Sequence, residues 1–305
     1  MSSDAERTER LKQKYGAQAI ENGMRLRPND FLDEVEWRDL VDQHYTRSWL
    51  DFTYGGLFTR QALDERTRLL VSLAQFLSLN EMDELEHQIP GALAAGATPR
   101  EVLEVMLQAT VYVGYLKAGR GMRLCIKVLE GLGRLDEVTG TQLPLAGRAP
   151  ERSLDRERAS WPAAKSAEET ALREQLLKRY GWHGVSPRFR LQSHQGYESI
   201  KCWDRIDPDY LKLWFDFIYG ELYPRGILDD RTRLLIMVGI CLAVNEPVQL
   251  ENHMRGALLL GANPREVLEV IAQSTAYVGM PTTILTARML ERIAKEENHL
   301  AELTQ

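Results

Sequence analysis

The sequence predicts an all-α protein built from two tandem copies of one helical module. Three observations predict it. The chain matches itself at an offset of 165 residues, its apolar side chains recur at helical spacing behind capping residues, and no stretch shows the alternation expected of strands bounded by turns.

The repeat comes first because it sets the boundaries. Leu63-Asp64-Glu65-Arg66-Thr67-Arg68-Leu69-Leu70 aligns with Leu228-Asp229-Asp230-Arg231-Thr232-Arg233-Leu234-Leu235 without a gap, and 29 of the 52 residues from Leu63 to Gly114 are identical to their counterparts. Unrelated chains of ordinary composition agree at roughly one position in twenty, so the copies arose by duplication. The match reaches upstream through Asp51-Phe52 and Asp216-Phe217, Tyr54-Gly55 and Tyr219-Gly220, Trp49 and Trp214, and Tyr15-Gly16 and Tyr180-Gly181. Residues 135–170, rich in Pro, Ser, Ala, Arg and Glu with little apolar periodicity, read as a surface linker. The expected organisation is a first module over 1–134, a linker over 135–170 that wraps around the modules, and a second module over 171–305.

Within each module the helix starts are written in the side chains. Asp64 and Asp229 are placed to cap helices in which Arg68, Leu69, Leu70, Leu73 and Leu77 recur at helical spacing in the first copy. Thr98-Pro99-Arg100-Glu101 and Asn263-Pro264-Arg265-Glu266 each set a capping residue before a proline, with a glutamate at the third helical position. The helices they open carry Val102, Leu103, Met106, Thr110 and Val113 in one copy, and Val267, Leu268, Ile271, Thr275 and Val278 in the other. Gly96 and Gly261 are expected to end the preceding helices with positive φ.

The totals narrow the function. A net charge of −6 spread over interspersed acids and bases leaves no phosphate-binding face, so no nucleic acid partner is expected. The longest apolar run, Leu234 to Val244, is about half of the ~20 residues needed to cross a bilayer. The first ten residues lack the apolar core of a secretory signal, and the expectation is a cytoplasmic protein with no membrane partner. Cys125, Cys202 and Cys241 are far apart, show no metal-ligand spacing and read as buried free thiols. Gly119-Arg120-Gly121 lacks the strand-loop-helix context of a phosphate loop.

The order of these signals, a Leu-Asp-x-Arg-Thr-Arg helix, a helix ending in Gly-Ala-Leu-x-x-Gly-Ala, a Pro-Arg-Glu-Val-Leu-Glu-Val helix and a Gln-x-Thr-x-Tyr-Val-Gly turn, resembles the carboxymuconolactone decarboxylase family and its alkylhydroperoxidase D-like superfamily in both halves. The second copy is the closer, through His253-Met254-Arg255-Gly256-Ala257-Leu258, Gln273 to Pro281, Tyr219-Gly220-Glu221 and Pro224-Arg225-Gly226. The resemblance implies an all-helical module that pairs into trimeric or hexameric rings with sites near module interfaces. Three tandem chains would then form a pseudo-hexamer.

The peroxidase branch of that superfamily uses Cys-x-x-Cys-x-x-x-His with an upstream glutamate. Here the cysteine positions hold Glu246 and Gln249, or Glu81 and Glu84 in the first copy, and the glutamate position is Leu234. Thiol peroxidase chemistry is therefore not expected. The decarboxylase branch implies an enzyme needing no metal and no cofactor, acting on a small carboxylated lactone or carbonyl compound. Such an enzyme must hold a carboxylate, stabilise an enolate and return a proton to carbon. Isomerisation or hydration of a related substrate uses the same groups, and a catalytically degenerate binding or assembly protein is the reading from another class.

For the proton the sequence offers His253, one turn from Leu250 and Ala257 on the inward side of its helix. Either a catalytic acid near neutrality or a satisfied core histidine fits that position, and the resemblance favours the first. Glu221, Arg231, Gln273 and Tyr277 are the expected substrate-binding groups. Gln273 and Tyr277 recur as Gln108 and Tyr112, which fits a shared structural role equally, and Arg231 fits a structural ion pair. Glu251 cannot readily reach His253 along one helix but is placed to pair with Arg255, as support or as plain structure. In the first copy Gln88 stands at the position of His253, His87 is one residue out of register, and Pro90 is expected to interrupt the helix. That copy is expected to have lost or changed its site, leaving Asp83, Glu84 and Glu86 to serve structure or reach across.

Overall fold

Two helices hydrophobic on every side lie at the centre, and the rest of the chain packs around them. The computed structural model describes residues 3–139, 153–191 and 197–304. The first module contains α1 (Asp4–Tyr15), α2 (Ala17–Leu26), α3 (Phe31–Val41), α4 (Gln43–Thr53), α5 (Glu65–Leu79), α6 (Met82–Ala94) and α7 (Pro99–Gly131). After α8 (Asp136–Thr139) and α9 (Leu154–Ala159) come α10 (Ala167–Tyr180), α11 (Trp182–Leu191), α12 (Tyr197–Ile206) and α13 (Pro208–Phe215). A π-helical turn, Asp216–Leu222, then leads to α14 (Asp230–Val244), α15 (Pro247–Leu259), α16 (Pro264–Val278), α17 (Met280–Glu296) and α18 (Leu300–Thr304). No strand occurs among the described residues, and the fold is all-α as the sequence predicts.

The expected caps are in place. Asp64 and Asp229 each accept from the backbone three residues on, at 2.9 Å, and Thr98 and Asn263 form capping boxes with Glu101 and Glu266. Every residue from Thr67 to Ser78 on α5 and from Thr232 to Leu242 on α14 is buried, because these helices pack on each other as well as on their own modules. At Gly239 they come so close that a Cβ would stand 2.7 Å from Val71. Gly114 and Gly279, with φ of 76° and 80°, bend the chain after the tyrosine of each Gln-x-Thr-x-Tyr-Val-Gly segment.

Two buried arginines clamp the modules together. Arg68 donates to Gln273 Oε1 at 3.2 Å and Glu269 at 3.1 Å, and Arg233 donates to Gln108 Oε1 at 3.0 Å and Glu104 at 3.3 Å. Arg60 and Arg225 complete the two glutamates, at 2.7 and 3.0 Å. Each pair joins one repeat to the other at equivalent positions, so the chain is folded on a local pseudo-twofold. The close packing of two charges this deep is tolerable only because each has its counter-ion and further hydrogen bonds.

Two expectations are corrected, at Pro90 and at Cys202. Pro90 does not interrupt its helix: α6 runs through it to Ala94, since a proline removes one helical bond and Gln88 fastens the same turn to Leu26 O at 3.0 Å. Helix α10 starts within the stretch expected as linker, capped by Ser166. The preceding segment docks on the module through Trp161, which bonds Ser186 at 3.1 Å and packs edge-on against Phe189. The rest of that stretch, 140–152, lies outside the described residues. Cys125 and Cys241 are buried, but Cys202 is exposed, on the face of α12 away from buried Tyr197 and Ile200. Among the described residues no helix is long and apolar enough to cross a membrane.

Candidate functional site

The repeat creates two cavities at equivalent places, and each is finished by a tyrosine from the other module. Tyr112 of α7 enters the cavity of the second module, and Tyr277 of α16 enters that of the first.

The second module's cavity, about 190 Å³, lies among Tyr112, Trp214, Ile218, Tyr219, Tyr223 and Gln249. The π-helical turn supplies Ile218 and Tyr219, and such turns often re-aim side chains at sites. Val111, Tyr112 and Gln249 also line an open depression bounded by Ser199, Val244 and Glu246, which connects the cavity with the outside. Behind Tyr112 stands His253 on α15, fully buried, its Nε2 hydrogen-bonded to the Tyr112 hydroxyl and its Nδ1 without a partner. Burial, aided by the charge of Arg188, pushes the His253 pKa down to about 3. The ring is therefore neutral at physiological pH, contrary to the expectation of an acid titrating near neutrality.

Burial acts on the phenols in the opposite sense. Tyr219 is pushed up to about 12, and Tyr112 and Tyr223 are held well above the usual range, so all three enter any reaction as O–H donors. The buried Cys241 thiol, also hydrogen-bonded to Tyr112, is raised by burial and is no nucleophile.

A charge common to several of these groups is Arg188, on α11, joined at Tyr223 by the stronger Arg233. Arg188 is fully buried, none of its three guanidinium nitrogens has a hydrogen-bond partner among the described residues, and its guanidinium carbon lies 5.1 Å from the Tyr197 ring centroid. Its field lowers His253, Tyr219, Tyr223 and Tyr197 alike. A buried cation without a counter-ion is costly, and Arg188 has none among the described residues. At the equivalent position of the first module stands Gly23, under the ring of Phe31.

The first module's cavity is larger, about 350 Å³, and differs in chemistry. Gln88 replaces His253, and Arg27 is held by Asp30 and, at 2.7 Å, by Glu84. Tyr277 closes one side, its hydroxyl 3.1 Å from Ser72.

Of the residues the sequence assigns to catalysis or substrate binding, only His253 adjoins the second module's cavity, standing behind its wall through Tyr112. Gln273 is buried in the Arg68 clamp, Tyr277 serves the other cavity, and Arg231 pairs with Glu266 as Arg66 does with Glu101. Glu221 is exposed on the π-helical turn. Glu251 and Arg255 pair at 2.8 Å and join Arg292, Glu296 and Glu297 in a cluster that ties α15 to α17. What the sequence reading missed is Arg188 and the crossing of Tyr112. A signal for Arg188 existed: with Val185 and Leu191 it shares the three-residue spacing of a buried stripe. None marks which module a tyrosine enters. Among the described residues no group of three or more His, Cys, Asp or Glu is arranged to hold a metal ion.

The sequence profile of the carboxymuconolactone decarboxylase family matches residues 43–124 and 208–292, one region in each repeat. Over 96 residues the chain is 34% identical to an uncharacterized 15.0 kDa protein of Paracoccus denitrificans, covering 30% of this chain and 68% of that one. Over 98 residues it is 28% identical to the 4-carboxymuconolactone decarboxylase of Acinetobacter baylyi, covering 32% of this chain and 73% of that enzyme.

Proposed function

Because the chain belongs to the carboxymuconolactone decarboxylase family, we propose that its second module is a decarboxylase for a small anionic lactone or carbonyl compound, working through an enolate. The observation that carries this reading is Arg188, buried, without a counter-ion among the described residues, and close enough for its charge to act on His253. A cavity of about 190 Å³ accommodates one small ring, since an apolar cavity of about 150 Å³ holds benzene.

The chemistry divides among the residues by where charge develops. The field of Arg188 draws in an anionic substrate, which turns its carbonyl oxygen rather than its carboxylate toward the guanidinium. Breaking the bond to the carboxyl carbon releases carbon dioxide and leaves the electron pair on the adjoining carbonyl system as an enolate. A cation that grips the departing carboxylate holds the reactant back, whereas one beside the carbonyl oxygen stabilises the charge as it arrives. Arg188 and the hydroxyls of Tyr219 and Tyr223 are assigned to that oxygen. Tyr112 delivers its proton to carbon, and its phenolate is reprotonated from solvent. His253, neutral and out of the cavity, orients the Tyr112 hydroxyl.

Turnover of unsaturated lactone carboxylates and β-keto acids, followed by carbon dioxide release and by proton NMR in deuterated water, tests this reading. Wild type should release carbon dioxide and incorporate deuterium, and Tyr112→Phe and Arg188→Met should do neither. Deuterium incorporation without carbon dioxide would replace decarboxylation with isomerisation, and full activity in Arg188→Met would remove the basis of the proposal.

The chain is also proposed to self-associate. Val41, Tyr45 and Phe52 are exposed, and so are their counterparts Ile206, Tyr210 and Phe217, which gives both repeats the same apolar band for a ring of copies.

A further inference from the structure

The first module's cavity takes no part in the chemistry above, yet it is the roomier of the two. We infer that it is a second, separate binding site, for an uncharged flat ring compound that carries a hydroxyl or N–H donor.

The shape argument rests on its walls. Trp49, Tyr54, Phe58, Phe76 and Tyr277 present aromatic surface around about 350 Å³, and stacked or edge-on contact with a planar ring is what such walls favour. Tyr54 and Phe58 are stacked on each other, and Phe76 meets Tyr277 edge-on with centroids 4.8 Å apart, so these rings are fixed by one another before any ligand arrives.

The charge argument excludes ions of either sign. Arg27 is occupied by Asp30 and Glu84, and Arg38 is paired with Glu34 and lies over the Trp49 ring at 4.6 Å. An anion would have to displace Glu84 from Arg27 and would then face Glu84 itself. A cation would meet Arg27 and Arg38, against which the exposed Glu81 is the one lining acid outside their ion pairs. This is the reverse of the second module, where Arg188 has no counter-ion among the described residues.

The polar argument fixes the donor. Glu84 lines the cavity and is engaged by Arg27 through Oε2, which leaves Oε1 to accept a hydrogen bond. Burial raises the pKa of this carboxyl, the sign of a group short of water. Gln88 spends one of its two amide N–H groups on Leu26 O, and its carbonyl oxygen is a second acceptor for a ligand. With these acceptors and with its arginines already paired, the site favours a neutral ligand that donates hydrogen bonds.

Resorcinol and benzoate are the matched probes, titrated by calorimetry into wild type, Ala276→Trp, Glu84→Met and Arg188→Met, each checked for folding by thermal melting. Ala276 is exposed at the cavity mouth, so the tryptophan plugs it without entering the core. Resorcinol should bind wild type and Arg188→Met equally, and about tenfold or more weaker when the Glu84 acceptor is lost or the mouth is plugged. Benzoate should be insensitive to Ala276→Trp. No binding of resorcinol in the millimolar range, binding that survives Ala276→Trp, or binding lost with Arg188→Met would each overturn the second site. The response of benzoate to Arg188→Met reads the other cavity independently, so the two proposals fail separately.

Discussion

Tyr112 and His253 lie 141 residues apart on different modules and share one buried hydrogen bond. Neither repeat alone contains the pair. Replacing Tyr112 by Phe should lower turnover by about a hundredfold or more if the hydroxyl carries the proton, since general acid–base groups typically contribute that much. The same change leaves His253 Nε2 buried and unpartnered, which costs about 1–3 kcal/mol. Steady-state kinetics and urea melts on one preparation check both, and unchanged kcat would assign the proton to another group.

Arg188 offers a sharper test because function and stability should move in opposite directions. Arg188→Met removes a buried charge that has no counter-ion, and the ligand-free protein should gain about 1–4 kcal/mol by analogy with buried charges replaced by apolar side chains. Substrate binding should vanish in the same variant. A lower melting temperature for Arg188→Met would mean that the guanidinium is satisfied in solution.

His253 sets a pH dependence of known sign. Its pKa is about 3 in the folded chain and about 6.5 when unfolded. Between those values the unfolded chain binds a proton that the folded chain does not. Stability contributed by the neutral ring is therefore complete above about pH 6.5 and falls by about 1.4 kcal/mol for each unit of acidification toward pH 3. His253→Gln, which installs the residue the first module has at Gln88, should remove that slope. Parallel stability profiles from pH 4 to 7 in the two proteins would contradict the burial.

The Arg–Glu clamps predict strong coupling between the repeats. Glu104→Gln leaves Arg233 buried beside a neutral amide and should destabilise by about 3–5 kcal/mol, whereas replacing Arg233 and Glu104 together by apolar residues should cost far less. A double-mutant cycle in urea measures the difference, and simple additivity would show that the charges act apart.

Light scattering tests the proposed ring. Three chains of 34.9 kDa should elute together, and Phe217→Glu and Phe52→Glu should dissociate them while leaving the far-ultraviolet spectrum unchanged. A wild-type mass near one chain would end that proposal.

The helices were legible where local chemistry decides them. Asp64, Thr98 and Asn263 announce helix starts that the backbone obeys, and the offset of 165 residues locates their counterparts. The site was legible only at His253. Gln273 and Tyr277 follow it closely in the chain, but helix α16 turns its buried side toward α5, so they contact Arg68 and Ser72 of the first module instead. A repeat compared with itself reports equivalence, and equivalence does not say which copy a side chain will touch. Pro90 misled for a related reason: a propensity rule weighs one lost helical bond, whereas tertiary contacts at Gln88 hold the helix on both sides of it.

The exchange of tyrosines also bears on how the two cavities came to differ. In a pair of identical chains every substitution enters both sites at once, so a change that suits one ligand alters the other equally. Joining the copies lifted that constraint. Gly23 and Arg188 could part company, as could Gln88 and His253, while Tyr112 and Tyr277 kept each half dependent on its neighbour. Fusion thus left two inequivalent cavities in one chain, each still taking one wall from the other half.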